Sequence, residues 1–223
     1  MSMPFCRASA LTEGGAISGY WAIGRVRNNT QGVTTVFNNG ALAVCVGQAY
    51  DKEYEENQTI TLNDYLEMIE KKTGSLLSLC MEIPALLANQ DEGVCSQLRK
   101  FGYDIGKGFQ IQDDVLEIFS GVKAMGKSLG SDVIANKQTA LTLMARKLVP
   151  QDWNKFCNGQ GSQTIDEKLA GLRTFFEDTG VYAETTAMAD KYFKDAVNAL
   201  AIVPNPGRKD LLAYTNFIKN REY

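Results

Sequence analysis

"GFQIQDDVLEIFSG", residues 108–121, sets two adjacent carboxylates, Asp113 and Asp114, between apolar runs. Placed on a helix at about 100° per residue, Gln110, Asp113, Asp114 and Glu117 fall at i, i+3, i+4 and i+7, within an arc of roughly 100°. The carboxylates at those spacings lie about 5–6 Å from one another. Like charges that close repel and raise one another's pKa unless something neutralises them. Phe109, Ile111, Val115, Leu116 and Ile118 occupy the remaining sides, and a helix that is apolar on most sides is packed on most sides. A solvated acidic stripe is the plainer reading of an Asp-Asp pair on a helix. The apolar flanks weigh against it here and point the acids into a cavity or groove, with a divalent cation as the economical partner.

Working outward, this helix is expected to start near Asp91 and run to about Ser120, because Val94, Leu98, Phe101, Ile105 and Phe109 recur at steps of three or four. Upstream, "TTVFNNGALAVCVGQAYDKEYE" (34–55) spaces Val36, Ala41, Val44 and Ala49 as a helical stripe before turning polar. "TLNDYLEMIEKKTGSLLSLCMEIPALLA" (61–88) opens on a capping signature, Thr61 with Asp64, and carries Leu62, Leu66, Ile69, Leu76, Leu77 and Cys80. Gly74 and Pro84 interrupt it, so a bend is expected at one or both. Downstream, Gly121 and Gly126 open a loop, and Ser131 or Asp132 caps a helix through Ile134, Leu141 and Leu143 to Val149. "PQDWNKFCNGQGSQ" (150–163) reads as a loop. Thr164 begins a capping box for a helix ending by Gly180, a further helix spans roughly 181–200, and a last one follows "PNPG" to Arg221. Strand alternation is absent, so the expected fold class is all-α.

The 223 residues suffice for a sizeable core, and 44% hydrophobic with 22% charged residues is an ordinary globular balance. A net charge of −3 gives no electrostatic footprint for nucleic acid or an anionic membrane. The sequence has no histidine. That removes histidine bases, Ser-His-Asp triads and His-ligated zinc together, and leaves carboxylates to hold any metal, which favours a hard ion such as magnesium. The five cysteines, Cys6, Cys45, Cys80, Cys95 and Cys157, are scattered and form no CxxC; they read as reduced thiols. The N-terminus lacks the charged start and apolar stretch of a signal peptide, and no apolar run is long enough to span a bilayer. A cytoplasmic protein with no transmembrane segment is expected.

Cations follow the acids. "GKSLGSD" (126–132) puts Lys127 on a glycine-flanked loop, "NKQT" (136–139) puts Lys137 about one and a half turns into the next expected helix, and "EKKTG" (70–74) puts Lys72 and Thr73 at the expected bend. One such lysine alone is ordinary surface charge. Lysines beside metal-bound carboxylates are what a diphosphate needs, since the metal bridges its oxygens and the lysines complete the charge balance.

"GFQIQDDVLEIF", "GKSLGSD" and "NKQT", with "VGQAYDKEYE" (46–55), "YLEMIEKKTG" (65–74) and the ending "FIKNREY" (217–223), resemble the second half of the trans-type polyprenyl diphosphate synthases, bacterial members in particular. The order and rough spacing match from about residue 19 to the C-terminus. The resemblance implies a bundle of the isoprenoid synthase kind, a single domain over 19–223, with residues 1–18 an atypical segment. It implies that isopentenyl diphosphate attacks an allylic cation formed when a Mg2+-bound diphosphate departs. Asp113, Asp114 and Glu117 resemble the family's second aspartate-rich motif and would bind the metal. Lys72, Thr73, Gln110, Lys127 and Lys137 resemble its diphosphate-binding positions, with Lys72, Lys127 and Lys137 the catalytic cations. Gln48, Asp51 and Asp132 resemble supporting positions, and a homodimer is expected.

Two departures stand out. Position 117 is glutamate where the motif has aspartate. The family's first aspartate-rich motif and its arginines do not appear upstream of "GYWAIGRV" (19–26), where Glu13 is the sole acid before Asp51, and Arg7, Arg25 and Arg27 do not match. The expected protein is therefore an N-terminally truncated prenyltransferase. The competing readings are a non-catalytic helical subunit or fragment that pairs with a complete homologue, and a terpene cyclase. The retained lysines and Gln110 weigh against both.

Overall fold

The computed structural model describes residues 30–119, 137–159, 164–205 and 207–221. Among the described residues there are nine α-helices and no strand. They are α1 (Thr30–Glu56), α2 (Leu62–Ile69), α3 (Ser75–Leu87), α4 (Glu92–Phe119), α5 (Ala140–Leu148), α6 (Pro150–Asn158), α7 (Ile165–Asp178), α8 (Val181–Ala199) and α9 (Gly207–Lys219). A single π-helical turn, Glu70–Gly74, joins α2 to α3, and a 3-10 turn, Leu200–Ile202, follows α8. Lys127, Asp132 and the expected helix start at Ser131 or Asp132 lie outside the described residues.

The long helix α4 is the centre of the bundle. It packs chiefly on α8 and α3, while α1 lies against α3 and the π-turn. Asp91 starts α4 as expected, its Oδ1 accepting the Val94 amide at 2.9 Å. Phe101, Ile105, Ile111, Val115 and Ile118 of α4 are buried with Phe193 and Ala196 of α8 and Leu141 and Ala145 of α5. α3 is stapled to α4 by Arg99, which donates to both oxygens of buried Glu82 at 2.7 and 2.6 Å.

The capping boxes at Thr61 and Thr164 form as read from the sequence. Three expectations change, and one gains detail. The buried stripe of α1 is Val33, Gly40, Val44 and Gly47, with Val36 and Ala41 half-buried and Ala49 exposed, because the close approaches of Leu79 and of the Lys72 backbone admit only glycine at 40 and 47. Where a bend was expected, Gly74 closes a turn with an extra residue and Pro84 sits inside α3, both being features that bend helices. Residues 150–158 are helix, not loop: Pro150 occupies the first helical turn, where its missing N–H costs nothing. Trp153 and Phe156 there stack on Phe176 and Phe175, with ring centroids 5.9 and 4.7 Å apart. Finally, α5 starts at Ala140, capped by Thr139 through a reciprocal bond with Thr142. Lys137 therefore precedes the helix instead of riding on it.

Asp114 joins three elements. One oxygen, Oδ2, accepts the Tyr65 hydroxyl of α2 at 2.7 Å and the Ala140 amide at the start of α5 at 2.7 Å. The carboxylate stands at a helix N-terminus, where partial positive charge favours it. Tyr65 is buried, and its pKa is held well above 10.0, first by burial, then by the charge and hydrogen bond of Asp114, then by Asp113 and Asp51.

Two outcomes follow. Tyr65→Phe leaves buried Asp114 short of a donor, and urea denaturation should show a loss of about 2 kcal/mol. The folded pKa of Tyr65 lies above its unfolded value, so its contribution is whole below pH 10 and lost above it as the unfolded phenol ionises; the alkaline fall in stability should be shallower in the variant. Gly47→Ala sets a methyl on the backbone nitrogen of Lys72. Backbone gives way poorly, so the same denaturation should show a loss of about 1–3 kcal/mol.

Candidate diphosphate and metal site

The π-turn carries the "EKKTG" motif. Its ring closes from the Ser75 amide to the Glu70 carbonyl. The extra residue re-phases the helix, so the consecutive side chains Lys72 and Thr73 serve different neighbours. Lys72 Nζ meets Asp51 Oδ2 of α1 at 2.6 Å. The Thr73 hydroxyl donates to Gln110 Oε1 of α4 at 3.3 Å, which leaves the Gln110 amide NH2 as the donor end of that side chain. π-turns inside helices recur at functional sites.

The three acids of the "DDVLE" motif share a helix but not a destination. Asp113 is half-buried and pairs with Arg221, whose guanidinium also donates to the Phe109 carbonyl at 3.1 Å and lies 3.7 Å over the Phe109 ring. Asp114 is the buried joint to Tyr65 and Ala140. Glu117 and Asp114 line a cavity of about 570 Å³ with Lys137 and Arg146 near them and Trp153 and Phe176 behind. Among the described residues, no three acids or thiols converge as a metal cluster.

These groups nevertheless adjoin. The Tyr65 hydroxyl feels Asp114, Asp113 and Asp51 together. Glu55, half-buried near the end of α1, is held below the usual carboxylate range first by its hydrogen bond to Lys52, with Lys137 and Lys72 contributing. The structure thus brings Asp51, Lys72, Thr73 and Gln110 together, and sets Asp113, Asp114, Glu117 and Lys137 around one end of α4. Gln48 is exposed on α1, one turn before Asp51. Lys127 and Asp132 lie outside the described residues.

Tyr65 and Arg221 escaped the sequence reading as site residues. Tyr65 carries a faint signal, since it sits three residues after Leu62 and four before Ile69 on the buried face of α2. The contact of Arg221 with Asp113 spans 108 residues and has no local signature.

A family model described as polyprenyl synthetase matches residues 13–174. The geranylfarnesyl diphosphate synthase of Natronomonas pharaonis is 34% identical over 182 residues, 81% of this chain and 52% of that protein. The geranylgeranyl diphosphate synthase of Methanosarcina mazei is 32% identical over 190 residues, 84% of this chain and 57% of that protein. The crystal structure of geranylgeranyl pyrophosphate synthetase from Pyrococcus horikoshii superposes with a TM-score of 0.81 at 27% identity, covering 91% of this chain and 63% of that one. The chain spans about half the length of the curated relatives it matches. With its all-α bundle and these matches, the chain belongs to the polyprenyl synthetase family.

Proposed function

We propose that this chain acts as an isoprenyl diphosphate synthase, condensing isopentenyl diphosphate with an allylic diphosphate. The observation that carries the reading is the π-turn, which presents Lys72 and Thr73 beside Gln110 and Asp51 in a member of this family. In the reaction the allylic C–O bond breaks and diphosphate leaves with the electron pair. The double bond of isopentenyl diphosphate attacks the allylic cation, a C–C bond forms, and a proton is lost. Lys72 and the Gln110 amide would receive diphosphate oxygens, with Lys127 and Lys137 completing the charge balance. Asp51 aims the Lys72 ammonium, and Asp132 would support the lysines.

Magnesium is the proposed cofactor. The donor set fits it in kind: carboxylates, in a sequence without histidine. It also fits in number, because magnesium is commonly held by one or two carboxylates plus substrate phosphates. Asp113 and Glu117 would hold it, with Asp113 exchanging Arg221 for the ion, while Asp114 fixes the helix that carries both. When bound, the ion supplies charge neutralisation to the departing diphosphate. We place the activity in the cytoplasm, where both charged substrates would be met. No helix among the described residues is long and apolar enough to cross a membrane.

A second reading has its own observation. Residues 1–50 contain one acid, Glu13, so they hold no acid pair to set against the "DDVLE" helix; in this reading the chain works as a helical subunit beside a complete homologue. The test is incorporation of labelled isopentenyl diphosphate with an allylic diphosphate and magnesium. The purified chain should give product, and Asp113→Ala should lower the rate by about a hundredfold or more. Incorporation that appears only when a complete homologous synthase is added assigns the chain as a helical subunit. Incorporation unchanged by Asp113→Ala removes the proposed metal site.

A further inference from the structure

Lys107 has no task in the reaction above, yet it is one of the better buried cations of the molecule. Its side chain is 15% exposed and its ammonium pairs with Glu70. It also lies 5.1 Å from the centroid of the Tyr192 ring, on α8, an arrangement in which the ring face attracts the cation. The Tyr192 hydroxyl, pushed up chiefly by burial, is drawn down by Lys107 and pushed up by Asp104, Glu70 and Asp195. Lys107 thus stands between an acid of the π-turn and a phenol ring of α8. A lysine out of water is costly, and an apolar side chain of the same length would fill the space without that cost.

What the charge secures is the π-turn. Glu70 is the first residue of that turn, and its carbonyl accepts both the amide and, at 3.3 Å, the hydroxyl of Ser75. The last residue, Gly74, meets α4 at Gly106, where a methyl would come within 2.5 Å of the Gly74 Cα. Between them Thr73 bonds Gln110, three residues beyond Lys107. One short stretch of α4 thus fastens the first, fourth and last residues of the turn. Lys72, the remaining polar member aimed at the site, is left to reach Asp51 on α1.

We propose that Lys107 is a positioning residue for the diphosphate site: its ion pair with Glu70 clamps the π-turn onto α4 and so sets where Lys72 and Thr73 stand. This rests on the reading of that turn as diphosphate-binding. A contact that only supported the fold would affect global stability. A positioning contact loosens one turn and weakens anion binding while the bundle stays folded.

The experiment compares the wild-type chain with Lys107→Met, Glu70→Gln and Lys107→Arg. It measures amide hydrogen exchange, binding of inorganic pyrophosphate with magnesium by calorimetry, and the thermal midpoint. Lys107→Met and Glu70→Gln should speed exchange at residues 71–75 about tenfold relative to the distant α7, and raise the pyrophosphate Kd about tenfold. Lys107→Arg should restore both. The Lys107→Met midpoint should change little, because the poorly hydrated charge is the one removed and the Glu70 carboxylate left behind is 43% exposed and can be hydrated; if it falls, the Glu70→Gln substitution carries the test. Unchanged exchange at 71–75 in both variants overturns the proposal, as does a loosened turn with unaltered pyrophosphate affinity. A wild-type chain that binds no pyrophosphate sinks the diphosphate reading of the turn, and the exchange rates then decide the Glu70–Lys107 clamp alone.

Discussion

The site depends on how closely three backbones approach one another. The π-turn is squeezed between α1 and α4, with Gly47 against the backbone of Lys71 and Lys72 on one side and Gly106 against Gly74 on the other. A side chain at either glycine would occupy the space of a neighbouring main chain. This contact sets the level of everything polar nearby. Asp51 is one helical turn beyond Gly47 and so stands beside Lys72; Gln110 is one turn beyond Gly106 and so stands beside Thr73. The added residue of the turn then lets two consecutive side chains face opposite walls.

Electrostatics complete what packing begins. Asp51 is matched by Lys72, Asp113 by Arg221, and Asp114 by a phenol and a helix N-terminus. Each of these acids is thus compensated by groups of the protein itself. A diphosphate reaching Lys72 would compete with Asp51, and a divalent ion reaching Asp113 would compete with Arg221. Both events exchange one charge pair for another, so binding need not strand a charge in a partly buried site, which is the costly outcome.

Much of this was legible in the sequence. The α4 helix, the capping boxes at Thr61 and Thr164, and the all-α class followed from periodicity and capping, which are local. Lys72 and Thr73 could be singled out from "EKKTG" and Gln110 from "GFQIQDD", while the contact of Thr73 with Gln110 spans 37 residues and shows only in the fold. The division of labour among Asp113, Asp114 and Glu117 was not. Helical phase puts all three within one arc, but the groups that claim them arrive from α2, α5 and the C-terminal segment, far away in sequence. Residues 150–158 were misread for a related reason. The Asn, Gln, Gly and Ser content of the stretch 150–163 suggests a loop, and only the aromatic wall of Phe175 and Phe176 makes a helix of Trp153 and Phe156 worthwhile. The π-turn has no distinctive composition; Gly74 marks a close approach, and a bend and an inserted residue look alike at that position.

The polar contacts of α4 also act as a register device. Going up α4, Arg99 meets Glu82, Gly102 meets Ser78, Gly106 meets Gly74, Lys107 meets Glu70, Gln110 meets Thr73 and Asp114 meets Tyr65. The partners fall in number almost steadily as α4 rises, the mark of two antiparallel elements in one fixed alignment. Aliphatic contacts tolerate a slide, since one leucine substitutes for another with small loss. Buried Glu82 and Asp114 and half-buried Lys107 do not, because a shift of one residue would turn each away from its counter-group and leave it uncompensated. Buried ion pairs are weak sources of stability but good sources of alignment. Here alignment also fixes the polar group at the π-turn, because the same shift would carry Lys72 and Thr73 away from Asp51 and Gln110.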